Sequence, residues 1–178
     1  VSSEVVPIPR ATGHWRMYYE CSRGPQSADN AILSAQSQDN GVTWQREPGV
    51  RWGNGRANFA APRIQFLANE QVRLYCYERG KGIISAIAKD GGMTFEQEPG
   101  LRIAQDGPWD SAAAFAPEVV QIGDQHFVMF YAGYSAANRA QILRATSQDG
   151  INWSKETRPV IAPGGTAWDA VKCSEMAL

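Results

Sequence analysis

One short pattern occurs three times in this chain, and it constrains the fold more than any other feature. Each copy has an aspartate, a glycine within the next two residues, and then an aromatic residue. The copies are SQDNGVTW (residues 37–44), AKDGGMTF (88–95) and SQDGINW (147–153). A period of about 50 to 60 residues with strand-like content is typical of propeller blades or another repeat array. A domain with a single core would show no such period.

The three aspartates of this pattern are expected to have a structural role. A short carboxylate can accept hydrogen bonds from backbone N–H groups two or three residues further on, and glycine supplies the left-handed conformation of a tight turn. The aromatic residue then starts the next strand and buries a large apolar area. We therefore interpret Asp39, Asp90 and Asp149 as turn residues and not as catalytic groups.

Each repeat contains four strand-like segments, labelled A to D in chain order. Strand A is predicted at 3–6, 61–66 and 116–122, strand B at 15–19, 72–77 and 127–131, strand C at 32–37, 83–88 and 142–147, and strand D at 44–49, 95–100 and 153–161. Strand B is rich in aromatic and β-branched residues, which favour a buried pleated surface. Strand D is polar and contains proline, which is typical of a sheet edge. The prediction is an all-β β-propeller of four-stranded antiparallel blades, with strand A innermost.

The repeats divide a single domain, 1–178, into blades at approximately 1–51, 52–105 and 106–162. Residues 163–178 resemble the start of the third repeat and are predicted to begin a fourth blade with its first strand. Closed propellers have at least about four blades. We therefore expect either part of a five-bladed propeller, whose remainder belongs to a longer chain, or half of a six-bladed assembly completed by a homodimer.

Composition excludes several classes of partner. The net charge of -1 gives no clustered basic field for nucleic acid or an anionic membrane. No apolar run approaches the roughly 18 to 20 residues of a membrane span, and no signal peptide is visible, so a soluble chain is expected. Three cysteines and two histidines occur without metal-ligand spacing. The sequence thus indicates neither a metal nor another cofactor.

Two families share these motifs. The run at 37–44 resembles the Asp box of sialidases and related six-bladed propellers. The wider run from APEVV at residue 116 through FVMFYAG to the tryptophan at 153 is more similar to the five-bladed glycosidase group of arabinanases, β-xylosidases, invertases and mannoside phosphorylases. This second resemblance covers nearly the whole chain. It implies a glycoside hydrolase that acts through paired carboxylates at the propeller axis, with a carbohydrate as its ligand; the Asp box leaves a sialidase-like hydrolase as an alternative.

The second resemblance also implies where the acids lie, because carboxylates of the innermost strands meet at the axis in that group. The aligned positions are Glu4, Arg63, Glu118 and Glu175, so the second carries a cation where a carboxylate is implied. Glu118 is the principal catalytic candidate, and Asp110, just upstream, is the second carboxylate. An Arg63 close to Glu118 would keep it ionised, as a base, as a binding group or as half of a structural ion pair.

A non-catalytic carbohydrate-binding or protein-interaction module is the rival hypothesis. Trp52, Trp109 and Trp168 are placed in the loops that lead into successive A strands, where aromatic rings could stack on sugars. Arg63 and Asp169, the counterpart of Asp110, would add polar contacts. Alternatively, the two Trp-Asp pairs are structural clasps between blades, in which the aspartate holds a turn.

Overall fold

The computed structural model describes residues 2–22, 24, 30–136, 138–165 and 167–177. Within that part of the chain the regular structure is antiparallel β-sheet, apart from two single-turn 3-10 helices, Ala68–Glu70 and Ala167–Asp169. No helix there is long and apolar enough to cross a membrane. The strands form three separate sheets that follow one another along the chain.

Each sheet is a meander in which neighbours in sequence are neighbours in space. The first sheet has the order β1-β2-β3-β4, with β5 also paired to β3; the second has β6-β7-β8-β10, with β9 also paired to β8; the third has β11-β12-β13-β14. The strands are β1 (Ser3–Pro7), β2 (Trp15–Ser22), β3 (Asn30–Ser37), β4 (Gln45–Arg46), β5 (Trp52–Ala57), β6 (Phe59–Phe66), β7 (Val72–Glu78), β8 (Gly82–Ala88), β9 (Glu96–Gln97), β10 (Ile103–Ala104), β11 (Ala113–Gly123), β12 (His126–Tyr134), β13 (Ala140–Ser147) and β14 (Trp153–Lys155). The fold is thus the all-β propeller type expected from the repeat, and each sheet is one blade.

The outer strand of each blade is broken into two pieces. It pairs with strand C for two or three residues, turns away at a proline-containing segment, and then returns to the same strand. The return is marked by backbone bonds from Arg51 N to Ile32 O (2.8 Å), from Arg102 N to Ile83 O (2.7 Å) and from Val160 N to Ile142 O (2.8 Å). Because β5 makes the return in the first blade, that sheet continues to Ala57, beyond residue 52, where the second blade was expected to begin.

Apolar side chains hold adjacent blades together. One buried cluster joins the first two blades and includes Tyr18, Ile32, Leu74 and Ile84. A second joins the second and third blades and includes Tyr75, Ile83, Met129, Tyr131 and Leu143. Burial of a side chain of this size stabilises a fold by roughly 1.5–3 kcal/mol. The middle blade is covered on both faces, which explains why β7 and β8 are buried almost throughout.

The three Asp turns lie at equivalent positions between strands C and D. Asp39 accepts hydrogen bonds from Thr43 N (2.8 Å) and Thr43 Oγ1 (2.6 Å), and the Thr43 hydroxyl is the main cause that lowers the pKa of this carboxyl to about 2. Asp90 accepts from the N–H groups of residues 93 and 94, and Asp149 from those of residues 151 and 152. These are the bonds that the turn chemistry predicts.

A polar joint connects the Asp turns of the second and third blades to strand B of the preceding blade. Tyr18 donates to Gly92 O (3.1 Å), and Arg16 donates to Gly91 O (2.9 Å). One blade further on, Tyr75 donates to Gly150 O (2.9 Å), and Arg73 donates to Asp149 O (3.1 Å). The turns therefore serve twice, because they reverse the chain and also present carbonyl groups to the neighbouring blade.

Each arginine of the joint is fixed within its own blade. Arg16 makes two bonds to Glu47, which also accepts from Ser34 Oγ (2.6 Å). Arg73 makes two bonds to Glu98 (2.9 and 3.0 Å) in the same manner. By strand register, the third blade has Val128 and Phe130 at the positions of this arginine and tyrosine. Its free face therefore lacks the donors that join the other blades.

The final segment differs from the expectation of a fourth-blade strand. Within residues 167–177 the structure has the 3-10 turn but no strand. The chain instead runs beside the start of β13, where Ala140 N donates to Val171 O (3.4 Å) and Cys173 N donates to Ala140 O (2.9 Å). The backbone groups of this edge are thereby paired with the last segment.

Substitutions that remove hydrogen bonds of the polar joint between the second and third blades should lower stability by different amounts. Tyr75→Phe removes one hydrogen bond and should lower the free energy of unfolding by about 0.5–1.5 kcal/mol. Arg73→Met should cost about 3–5 kcal/mol, because it leaves Glu98, whose side chain is only 14% exposed, without its cation. Urea denaturation of both variants measures the difference.

Arg144→Met is the matched control for this series. Arg144 pairs with Glu156 in the third blade, at the outer edge and away from any joint. Because Glu156 is 43% exposed, the loss should stay below about 1 kcal/mol. Equal losses for Arg73→Met and Arg144→Met would contradict a special role for the joint.

Candidate active site

The three innermost strands, β1, β6 and β11, lie side by side, with β6 in contact with both of the others. Two of them carry a β-bulge at the same place. The register shifts between Ala60 and Arg63 in β6, and between Phe115 and Glu118 in β11. A bulge bends a strand and changes the direction in which the following side chains point. Both bulges directly precede a candidate site residue.

Both bulges contain a strained alanine followed by a proline. Ala61 has φ 53° and Ala116 has φ 48°, in the left-handed region that residues other than glycine seldom adopt. Such a residue costs on the order of 1–3 kcal/mol and persists only where its surroundings hold it. Ala61 is held by Glu20 of the first blade, whose Oε2 accepts from Ala61 N (3.1 Å). Strain of this kind clusters at functional sites.

One charged side chain from each blade meets at this place, and these three residues form what we call the axial cluster. Arg63 Nε donates to Glu118 Oε1 (2.5 Å) and lies 3.9 Å from Glu4 Oε2. Arg63 is fixed by its own strand, since Nη1 donates to Pro62 O (2.8 Å). Glu4 Oε2 also accepts from Ile64 N (2.9 Å). The aligned positions Glu4, Arg63 and Glu118 therefore come together as the repeat alignment indicated.

The axial cluster is largely shielded from solvent, with side-chain exposures of 14–20%. It contains two carboxylates and one guanidinium, so one negative charge has no counterpart within it. Burial raises the pKa of Glu4 to about 7, although Arg63 and the Ile64 N–H act in the opposite direction. Glu118 takes the closer contact with the cation. The two acids therefore differ: Glu4 is partly protonated at neutral pH, whereas Glu118 makes the shorter ion pair with Arg63.

Asp110 lies outside the axial cluster, contrary to its expected place as the second carboxylate. It is 1% exposed and accepts from Gly107 N (2.8 Å), Tyr131 Oη (3.0 Å) and Lys155 Nζ (2.9 Å). Lys155 of β14 also donates to Ala104 O of the second blade, and Tyr131 belongs to the cluster that joins these two blades, so Asp110 is buried between the second and third blades. The structure therefore supports the clasp alternative for this residue.

The two Trp-Asp pairs form similar turns. Asp169 accepts from Gly164 N (2.9 Å), as Asp110 accepts from Gly107 N. A Cβ at either glycine would approach a carboxylate oxygen of the aspartate to within 2.6–2.7 Å, so a side chain there would displace the carboxylate. The turns leave Trp109 partly exposed and Trp168 fully exposed.

Two other candidate residues do not have the positions expected of them. Trp52 is buried, because it belongs to β5 and stacks on Phe59 with ring centroids 4.3 Å apart. It is a core residue and offers no surface to a sugar. Glu175 is exposed and lies in no strand, because the last segment follows β13 instead of starting a fourth inner strand.

Some residues of the site were not identified from the sequence. Glu20 lies just beyond the predicted strand 15–19 and was given no role, yet its carboxylate accepts from Ala61 N in the bulge before Arg63. Lys155 neutralises Asp110 from another strand. The repeated Ala-Pro pair before Arg63 and Glu118 was the available signal for the bulges. The described residues include no group of three or more His, Cys, Asp or Glu side chains placed to hold a metal ion.

Known proteins were compared by family, by sequence and by structure. No family model matches the chain, and no curated protein matches it in sequence. The fold matches solved structures of glycoside hydrolases. A thermostable family-43 glycoside hydrolase superposes with a TM-score of 0.69 and 16% identity, covering 90% of this chain and 55% of that one.

Two further solved structures also match the fold of this chain. A family 117 glycoside hydrolase of the marine bacterium Zobellia galactanivorans gives a TM-score of 0.68 with 19% identity, over 85% of this chain and 54% of that one. The endo-arabinase of Bacteroides thetaiotaomicron gives 0.65 with 14% identity, over 90% and 62%. The chain therefore spans about half to three fifths of the length of these structures. It shares the propeller fold with glycoside hydrolases of this kind.

The raised pKa of Glu4 predicts a pH-dependent stability with a definite sign. Its value of about 7 in the folded state exceeds the ordinary 4.5, so between these two pH values the native state binds more protons than the unfolded state. Stability should therefore fall as the pH rises from about 4.5 to about 7, by at most roughly 3 kcal/mol.

Denaturation of the wild type and of Glu4→Gln between pH 4.5 and 8 measures this effect. The variant cannot titrate at this position, so its decline should be smaller across that range. Glu175→Gln is the control, because that residue is exposed and should leave the profile unchanged. An identical decline in wild type and Glu4→Gln would show that Glu4 has no such pKa.

Proposed function

We propose that this chain is part of a glycoside hydrolase of the propeller type, in which Glu4 and Glu118 act on a glycosidic bond. The observation that carries the proposal is the convergence of these two carboxylates on Arg63, with one partly protonated and the other ion-paired near pH 7. Two acids in different protonation states are the requirement of glycoside hydrolysis. The shared fold with glycoside hydrolases supports the same class.

The chemistry assigns one role to each acid. Glu4 retains a proton near neutrality and would donate it to the glycosidic oxygen as the bond to the sugar breaks. Glu118, as a carboxylate, would activate water or attack the anomeric carbon. The sequence-based expectation named Glu118 as the principal catalytic candidate and left its role as acid or base open. The assignment of one role to each acid follows from Arg63, which contacts Glu118 more closely than Glu4.

Arg63 is then the group that tunes the pair. Its guanidinium contacts Glu118 directly and lies 3.9 Å from Glu4, so it holds both acids in place. A bound sugar hydroxyl could take the place of Glu118 on the guanidinium, because arginine has five N–H donors. On this account Arg63 is a substrate-binding residue as well as a partner of Glu118.

A non-catalytic carbohydrate-binding module is the second candidate. The specific observation in its favour is that the two Trp-Asp turns leave Trp109 and Trp168 exposed. In that case the ion pair between Arg63 and Glu118 would only hold the blades together. A double-mutant cycle on this pair distinguishes the two functions.

Glu118→Gln should reduce turnover of an aryl glycoside by about 100-fold or more, the scale of losing a positioned acid or base. It also leaves Arg63 without its partner, so the melting temperature is measured in parallel. Glu118→Gln/Arg63→Gln removes both charges and should recover much of the lost stability. It should not recover turnover. The substrate for these turnover measurements is chosen by screening the wild type against a panel of aryl glycosides.

The control is Glu175→Gln, at the aligned but exposed position, which should retain full turnover. A double variant that regains both stability and turnover would show that Glu118 is purely structural. The absence of turnover in the wild type over the whole panel, together with binding on a glycan array, would favour the non-catalytic module.

A further inference from the structure

A cavity lies at the end of the third blade where β11 begins, apart from the axial cluster. Its volume is about 400 Å³. It is formed by the loop before β11, the loop between β12 and β13, and the segment after β14, and its lining includes Trp109, Ser111, Ser135, Arg139, Gln141 and Pro163. None of the axial cluster residues contributes to it.

The indole of Trp109 is a fixed wall of this cavity. Its Nε1 donates to Thr157 O (3.2 Å), and its backbone carbonyl accepts from Nε2 of the buried Gln141. The same amide nitrogen donates to Gly133 O (2.7 Å), and the adjacent Asp110 is anchored by Lys155. Trp109 is 39% exposed, although its indole N–H and its backbone carbonyl are both hydrogen-bonded. A preorganised aromatic face binds an apolar surface with little loss of conformational entropy.

The charged side chain in the cavity lining is a cation. Arg139 is its only charged lining residue among those that the structure describes, and it is exposed. The neighbouring Ala140 forms a bridge with Lys172, whose ammonium lies 5.5 Å from the centre of the Tyr134 ring. Lys155 pairs with both Asp106 and Asp110, and Asp169 accepts from Gly164 N beside the lining residue Pro163. Arg139 is therefore the charged group that the cavity lining itself presents to a ligand.

We propose that this cavity is a subsite for an acidic sugar, a uronic acid unit of an oligosaccharide. Trp109 would stack on the apolar face of the ring, and the Arg139 guanidinium would bind the carboxylate through two parallel N–H bonds. The hydroxyls of Ser111 and Ser135 are available for sugar hydroxyls. The inference rests on the proposed function only in taking carbohydrate as the ligand class.

Calorimetric titration with trigalacturonate and with neutral galactotriose, at equal ionic strength, tests the subsite. The acidic trisaccharide should bind at least about tenfold more tightly, which is the scale of one charge-assisted contact. Arg139→Gln should abolish this preference and leave binding of the neutral sugar unchanged. Arg158→Gln, an exposed arginine outside the cavity lining, is the matched control and should keep the preference.

Trp109→Ala should weaken binding of both sugars about threefold to tenfold, while Trp109→Phe, which keeps an aromatic face, should lose less. Melting temperatures of both variants show whether weaker binding comes from loss of the aromatic face or from unfolding. Equal affinity for the two sugars in the wild type would overturn the inference, and so would a preference that survives Arg139→Gln.

The acidic-sugar subsite and the proposed hydrolase can be refuted independently of each other. Arg139→Gln should not alter turnover of a neutral aryl glycoside, because the residue lies outside the axial cluster. If the acidic sugar shows no preference while Glu118→Gln abolishes turnover, the subsite is refuted and the proposed hydrolase stands. Preferential binding of the acidic sugar without turnover would support the subsite and refute the hydrolase.

Discussion

The structure depends on one repeated contact, in which the central strand of a blade donates hydrogen bonds to the Asp turn of the next blade. Arg16 and Tyr18 make it between the first two blades, and Arg73 and Tyr75 make it between the second and third. The four accepting carbonyl groups, two in each turn, belong to turns whose shape is set by an aspartate. The local chemistry of the turn therefore also fixes how one blade is placed against another.

That placement brings the axial cluster together. Glu4, Arg63 and Glu118 belong to three different blades, so their distances depend on the angle between sheets rather than on any single sheet. The bulges at Ala61 and Ala116 then set the direction of two of the three side chains. Strain is tolerated at Ala61 because its N–H donates to Glu20 of the neighbouring blade.

The third blade lacks the arginine and tyrosine of the polar joint, which affects how a further blade could pack against it. Val128 and Phe130 replace the arginine and tyrosine of the joint, and Glu156 is paired with Arg144 of strand C. A further blade, or a second copy that completes a six-bladed ring, would meet this face without the joint that links the other blades. Apolar contacts would have to contribute more of the binding there.

The sequence by itself determined the repeat, the four strands of each blade, the Asp turns and the alignment of Glu4, Arg63 and Glu118. These features are local or periodic, and hydrogen bonds within a few residues decide them. Only the tertiary structure decided that Asp110 is a buried anchor, that Trp52 is core and that the last segment follows β13. Each of these outcomes depends on a partner from another strand, such as Lys155 or Phe59. Sequence spacing contains no information about the geometry of such long-range contacts.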